Sequence, residues 1–186
     1  MKLKAVFSSL ILSIGVSAAN AELREFRFYG YVDQASPTAP KGAIVTGSFA
    51  YDTKASPQLQ FGQSSGPGYG GASYPVPRGM TIRVNGSTIV SERANVDVVN
   101  NFGGNVEDSI SVYGQPMTIN GTTFENGSLG IYLASGPGRN QVLRDTSLPR
   151  SINVQRYNGM NYGWVQVDGS PDGSILSFVI LHVTGR

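Results

Sequence analysis

The chain has 186 residues, with 14 Lys and Arg against 12 Asp and Glu, and a single histidine. Because Lys2 and Lys4 account for the excess, the remainder is neutral, which excludes a basic surface for nucleic acid or anionic membranes. Cysteine is absent, which excludes disulfides and also zinc or haem sites with several Cys or His ligands. The 24 glycines and the 14% of charged residues favour short strands joined by tight turns.

The first 21 residues have the three parts of a secretory signal peptide. A basic start is followed by an apolar stretch, Ala5 to Val16, and by an A-x-A cleavage site that ends at Ala21. A membrane anchor is the alternative, but about a dozen apolar residues fall short of the ~20 that a spanning helix needs. We therefore expect residues 1–21 to be removed, leaving one exported domain, 22–186, without a membrane span, in the periplasm or outside the cell.

The first strands of this domain show period-two alternation. Leu23 to Val32 alternates apolar and polar residues, which predicts a half-buried strand. Gln34 to Gly42 contains two prolines and is expected to be a loop. The next strand, Val45 to Thr53, has Val45, Gly47, Phe49 and Tyr51 on one face, and Lys54 to Pro57 is the turn after it.

Glycine and proline dominate the stretch from Gly62 to Gly79, which predicts an irregular loop, either a plain surface loop or one that contacts a ligand. Met80 to Val90 predicts a hairpin, because Asn85-Gly86 is the dipeptide that a type I′ turn prefers. Further Asn-Gly pairs at Asn120 and Asn126 indicate an antiparallel meander.

Six later strands are predicted in the same way. They are Val96 to Val99, Ser109 to Tyr113, Ser128 to Ala134, Ser151 to Tyr157, Gly163 to Val167 and Ser174 to Val183. The last strand is apolar on both faces, so we expect it to be covered twice. Nine or ten strands with little helix predict an all-β fold, a two-sheet antiparallel β-sandwich of jelly-roll type.

Several segments resemble a group of exported bacterial proteins of uncharacterised function, related to secreted proteins that carry a C-terminal PEP-CTERM sorting signal. The matching segments are TGSFAYDT (46–53), GMTIRVNG (79–86), VDVVNNFGG (96–104), EDSISVYG (107–114), GIYLAS (130–135) and SLPRSINV (147–154). The resemblance implies an exported all-β domain and no catalytic residues. The chain ends in LHVTGR, without the sorting signal, so anchoring of that kind is not implied.

Residues for catalysis are few. His182 lies on the most apolar predicted strand beside Phe178 and Ile180, so we expect it to be packed in the core, where it could not serve a Ser-His hydrolase. Acidic residues could supply the two carboxylates of a glycosidase, although the sequence does not pair them. They are Asp52, Asp97, Glu107, Asp108, Asp168 and Asp172.

A calcium loop has a partial match in DGSPDG, where Asp168, Ser170 and Asp172 alternate as oxygen donors. The second half of the loop motif fails, because Val179 stands where a bidentate Glu is needed. A hairpin turn is the alternative, since Asp, Gly, Ser and Pro are turn formers. No cofactor other than Ca²⁺ is suggested.

A candidate ligand site lies around the turn in RYNGMNYGW. Aromatic faces beside amide and guanidinium donors match a sugar ring, whose C–H face packs on an apolar ring while its hydroxyls need hydrogen bonds. The candidate residues are Arg156, Tyr157, Asn158, Asn161, Tyr162 and Trp164. In the alternative interpretation, Tyr162 and Trp164 share a face and fill the core.

These observations predict an exported, non-enzymatic β-sandwich module with a structural or interaction role. A carbohydrate-binding module of the cell surface or exopolysaccharide is the first alternative, and a glycoside-active enzyme is the second. The expected partner is accordingly a polysaccharide or another envelope protein.

Overall fold

A computed structural model describes residues 22–62, 70–102, 107–136, 142–167 and 175–186. The described residues form thirteen strands and one short 3-10 helix, η1 (Val154–Arg156). The strands are β1 (Leu23–Val32), β2 (Ile44–Asp52), β3 (Leu59–Gly62), β4 (Gly70–Val76), β5 (Met80–Val84), β6 (Ser87–Ser91), β7 (Ala94–Phe102), β8 (Glu107–Gly114), β9 (Met117–Ile119), β10 (Thr122–Phe124), β11 (Ser128–Ala134), β12 (Met160–Gln166) and β13 (Leu176–Gly185). Within these ranges, no helix has the length and apolar character needed to cross a membrane.

The all-β prediction is confirmed, but the strands form one antiparallel sheet. Its order is β10-β9-β6-β5-β2-β1-β13-β12-β11-β8-β7-β4-β3. The expected division into two sheets is not confirmed, because hydrogen bonds run without a break from β10 to β3. The sheet curls, since β2 contacts β4 although six strands lie between them in this order. The curl encloses the core on its inner face and leaves an outer face.

The core begins with stacked rings at the centre of the sheet. Phe26 lies 5.3 Å from Phe49 and 4.6 Å from Tyr51 between ring centroids. The irregular chain from residue 142 to 159 then crosses the inner side, and its buried side chains complete the core. The hydroxyl of Tyr51 donates to the carbonyl of Pro149 at 2.6 Å, which fixes this segment to β2.

Ser151 to Tyr157, predicted to be a strand, belongs to this crossing segment and is not a strand. Ile152 and Val154 are both buried, so the sequence alternates as a strand would. Their side chains pack into the core without a strand partner, and Asn153 caps η1 by accepting the N–H of Gln155 at 3.1 Å. The alternating pattern of this segment therefore reflects burial of one of its sides and not pairing within the sheet.

Glycines face aromatic rings at several paired positions of the sheet. A Cβ added to Gly163 would lie 2.1 Å from the ring of Phe178, so no larger residue fits there without displacing the ring. In each such pair the aromatic residue lies directly across from the glycine on the neighbouring strand, as in the covering of glycines by aromatic residues known in sheets. The pairs are Phe28 with Gly47, Phe178 with Gly163, Trp164 with Gly130, and Phe61 with Gly71.

Two of the three Asn-Gly pairs form the predicted hairpin turns. Asn85 and Asn120 have positive φ values of 46° and 48°, and the glycine after each is also positive, as a type I′ turn requires. Asn126 lies in a different turn, closed by the N–H of Gly127 donating to Phe124. The strands on either side of that turn, β10 and β11, do not pair with each other.

The prediction of an irregular loop from Gly62 to Gly79 is wrong for Gly70–Val76, which forms β4 between β3 and β7. Ala72, Tyr74 and Val76 alternate inward and are buried, which provides the core face of a strand despite the glycines. Pro75 falls beyond the end of β3, at the edge of the sheet, where proline is tolerated.

A bulge in β13 overturns the expected burial of His182. Tyr29 pairs with His182, but Gly30 pairs with Ile180, so Leu181 is an extra residue without a partner on β1. An extra residue reverses the alternation of the strand beyond it. Phe178 and Ile180 therefore point inward, whereas His182 is exposed and the following Val183 is buried.

Candidate functional site

A line of paired residues runs across nine strands on the outer face of the sheet. Neighbouring strands lie ~4.8 Å apart, so the line extends for about 38 Å along the curved sheet. We call it the outer row; in order from β2 to β3 its members are Ile44, Tyr31, Val179, Tyr162, Tyr132, Ser111, Asp97, Ser73 and Leu59. Its β2 half is aromatic and aliphatic, and its β3 half is mainly polar.

Three rings meet near the middle of the outer row and form what we call the aromatic cluster: Tyr132, Tyr162 and Trp164. The centroid of Tyr162 is 5.6 Å from that of Tyr132 and 5.9 Å from that of Trp164, with the rings tilted to each other. The indole lies over Gly130, which leaves room for it against the strand. Tyr162 is 41% exposed, so the cluster presents an apolar surface to solvent.

Beside the aromatic cluster, four polar residues form what we call the polar cluster: Ser73, Asn95, Asp97 and Tyr113. Tyr113 extends from β8 and lies near the side chains of Asn95, Ser73 and Asp97, all of which influence the pKa of its phenol. The Oδ1 atom of Asp97 is buried and has no hydrogen-bond partner within the part of the chain that the structure describes. Asp97 as a residue is half-buried, so its carboxylate borders the outer surface although Oδ1 itself is enclosed.

Burial raises the pKa of two tyrosines, Tyr113 and Tyr132, that lie where the polar and aromatic clusters meet. Desolvation raises the pKa of Tyr113, and the negative charge of Asp97 adds to it, while hydrogen bonds with Asn95 and Ser73 oppose the rise. Desolvation likewise raises the pKa of Tyr132, where the hydrogen bond with Ser109 opposes it and the charge of Glu107 adds to it. Both phenols therefore stay protonated at neutral pH and can donate hydrogen bonds.

The structure separates the residues that the sequence grouped as a ligand site. Tyr162 and Trp164 lie on the outer face and do not fill the core, whereas Tyr157 is buried within it. Asn161 points to the inner side, where its Nδ2 donates to the carbonyl of Val154 at 3.5 Å. Two further candidates, Arg156 and Asn158, are exposed on the turn before β12.

The acidic candidates are dispersed. Asp108 is fully buried on the inner face, where its Oδ2 accepts two backbone N–H groups. Asp52 ends β2, while Asp97 and Glu107 belong to the outer face. The suggested calcium ligands Asp168, Ser170 and Asp172 lie outside the described residues. Within the described ranges, no three His, Cys, Asp or Glu side chains converge to hold a metal ion.

Sequence analysis did not identify Tyr31 and Tyr132 of the outer row, or Tyr113 of the polar cluster, as site residues. Alternation along each strand does indicate that they face away from the core. It does not indicate which residues of different strands stand side by side, because this depends on register across the whole sheet.

No protein-family model matches the chain, and no curated protein or solved structure is significantly similar to it. The resemblance to exported PEP-CTERM-related proteins therefore stays a prediction.

Proposed function

We propose that this protein is an exported, non-catalytic binding module that holds a polysaccharide on its outer face. We also propose that it works as a sandwich-like module, in which the two halves of the curled sheet face each other across the core. The main support for the proposal is that the aromatic cluster lies beside the polar cluster on the outer face, where Tyr162 is 41% exposed.

The two clusters match the two kinds of surface on a sugar ring. The C–H face of a pyranose packs on aromatic rings, for which Tyr162 and Trp164 offer a half-exposed surface. The sugar hydroxyls need donors and acceptors, and the half-buried side chains of Tyr113 and Asp97 are of the types that supply them. The outer row runs across the strands and is long enough for an extended chain of several sugars.

The charge on this part of the surface favours neutral or amino sugars. Asp97 and Glu107 both face outward near the clusters, and both influence tyrosines there. Carboxylates repel other carboxylates but accept hydrogen bonds from hydroxyl and ammonium groups. We therefore expect polysaccharides rich in uronic acids to bind weakly or not at all.

A glycoside-active enzyme has less support. Asp97 pairs with Ser111, and Glu107 lies four residues from Ser111 on the same strand. At ~3.3 Å per residue these backbone positions are about 13 Å apart along the strand. The two side chains would have to lean toward each other to reach the ~5–9.5 Å between glycosidase carboxyl groups. The two outward acids are therefore better placed to bind than to cleave.

A protein partner is the second candidate, and one observation favours it. The strand β3 is at the edge of the sheet, all four of its residues are exposed, and Leu59 is 60% exposed. An exposed edge strand can accept a strand of another protein through its unpaired backbone groups. This interaction would leave the aromatic cluster free.

A glycan array probed with the exported protein tests the proposal, followed by titration of any hit with Trp164 fluorescence as the signal. We expect binding to neutral or amino polysaccharides, and a loss of about 1–3 kcal/mol in Tyr162→Ala, as is common for an aromatic residue at the centre of an interface. Tyr29→Ala is the matched control, because Tyr29 is 43% exposed on the same face but outside the outer row.

Equal losses in Tyr162→Ala and Tyr29→Ala would contradict a site at the aromatic cluster. If no glycan binds, and a partner protein is captured whose binding is lost in Leu59→Glu but kept in Tyr162→Ala, the edge strand is the functional surface instead.

A further inference from the structure

The start of β1 is held by the end of β2. The backbone N–H of Glu22 donates to Oδ1 of Asp52 at 2.9 Å, and the N–H of Lys54 donates to the same oxygen at 2.9 Å. In return, the N–H of Thr53 donates to the carbonyl of Glu22 at 3.2 Å. Glu22 is also the residue that follows the signal-peptide cleavage site predicted after Ala21.

We propose that Asp52 is an ion-pair site for the α-ammonium group that signal-peptide cleavage creates on Glu22. The inference rests on the proposed export. Cleavage turns the amide nitrogen of Glu22 into a positively charged group that already lies at hydrogen-bond distance from a carboxylate. Hydrogen bonds between two charged groups are about twice as strong as neutral ones, so processing strengthens an existing contact.

The neighbouring charges leave Asp52 as the acceptor for this group. The carboxylate of Glu22 itself is occupied by Arg24 from β1 at 3.3 Å and by Arg150 from the crossing segment at 3.6 Å. The Lys54 side chain follows Asp52 in the turn. Hydrogen bonds thus tie the processed terminus to β2, and the Glu22 side chain ties it to the crossing segment.

The pH dependence of this contact has a definite sign. A free α-amino group has a pKa of ~8, and a carboxylate partner raises it in the folded state. Stability from a raised pKa is fully present below the unfolded value and is lost as the pH rises through the folded value. The processed protein should therefore lose this contribution in mildly alkaline solution.

The experiment begins with the full-length chain expressed in a bacterial host and the exported product purified. Its intact mass should correspond to a chain that begins at Glu22. The α-amino group is then labelled by reductive methylation with ¹³C, and its pKa is measured by NMR titration in the wild type and in Asp52→Asn. We expect a wild-type pKa above that of a free terminus, and a return toward ~8 in Asp52→Asn.

Asp145→Asn is the matched control, because Oδ1 of Asp145 accepts a backbone N–H two residues later, as Oδ1 of Asp52 does, but has no contact with Glu22. It should leave the α-amino pKa unchanged. The difference in melting temperature between wild type and Asp52→Asn should also shrink as the pH rises above ~8.

Either of two results would overturn the inference. If the exported product begins at another residue, its α-amino group does not lie beside Asp52. An α-amino pKa that is ordinary in the wild type, or unchanged by Asp52→Asn, shows that the contact carries no ion pair. Neither result bears on glycan binding, which the array tests separately.

Discussion

Asp108 offers the sharpest test of how the crossing segment is held against the sheet. Its carboxylate is fully buried, and its Oδ2 accepts the N–H groups of Val142 and Leu143 at 2.6 and 2.7 Å. Replacing it with alanine leaves both N–H groups without this acceptor. Since each buried, unpaired polar group costs ~1–3 kcal/mol, we expect Asp108→Ala to lower the free energy of unfolding by about 4 kcal/mol.

This loss is large beside the ~5–15 kcal/mol total stability of a typical domain, so the variant should be close to its folding threshold. Urea denaturation measures the change by linear extrapolation. Asp108→Asn keeps an acceptor oxygen for both N–H groups but removes the charge, which makes such hydrogen bonds about twice as strong. It should therefore lose roughly half as much, which keeps the test usable if the alanine variant fails to fold. Asp145→Asn, at a partly exposed turn with one backbone contact, should lose less than about 1 kcal/mol.

A loss below about 1 kcal/mol in Asp108→Ala would refute the reasoning, because the two N–H groups would then have found other partners or water. Glycan binding by Asp108→Asn is the second measurement. Asp108 is on the inner face, so a folded Asp108→Asn protein should bind as the wild type does, whereas a glycosidase that used Asp108 would lose turnover.

Two further predictions concern the core. Gly163→Ala should lower the free energy of unfolding by about 1–3 kcal/mol in urea, because its Cβ would lie 2.1 Å from the ring of Phe178, and a near-neutral result would contradict the glycine-ring pairing. Gly185→Ala is its control, since the nearest ring atom there is 3.1 Å away. Burial raises the pKa of Tyr51 and Tyr157 far above that of a free phenol, so the stability that they contribute is present below pH ~10 and is lost above it. Phenolate absorbance from these two residues should therefore appear only together with unfolding, and its appearance in the folded protein would contradict their burial.

The strand class and several turns of this protein could be predicted from local sequence alone. Period-two alternation places Phe26 and Phe28 on the inner face of β1, and backbone chemistry alone requires positive φ at Asn85-Gly86. These features depend on a few consecutive residues. The sequence therefore determined the all-β class, most strand positions and the direction in which Tyr31 faces.

Tertiary structure decided every feature that depends on contacts between distant segments of the chain. The bulge at Leu181 turns His182 outward, and only the fit of β13 against β1 shows it. Ile152 and Val154 alternate as a strand would, but they pack into the core as part of the crossing segment and not beside either edge strand of the sheet. The aromatic cluster, too, comes from strands set in register, and register is a property of the whole sheet that no single stretch of sequence contains.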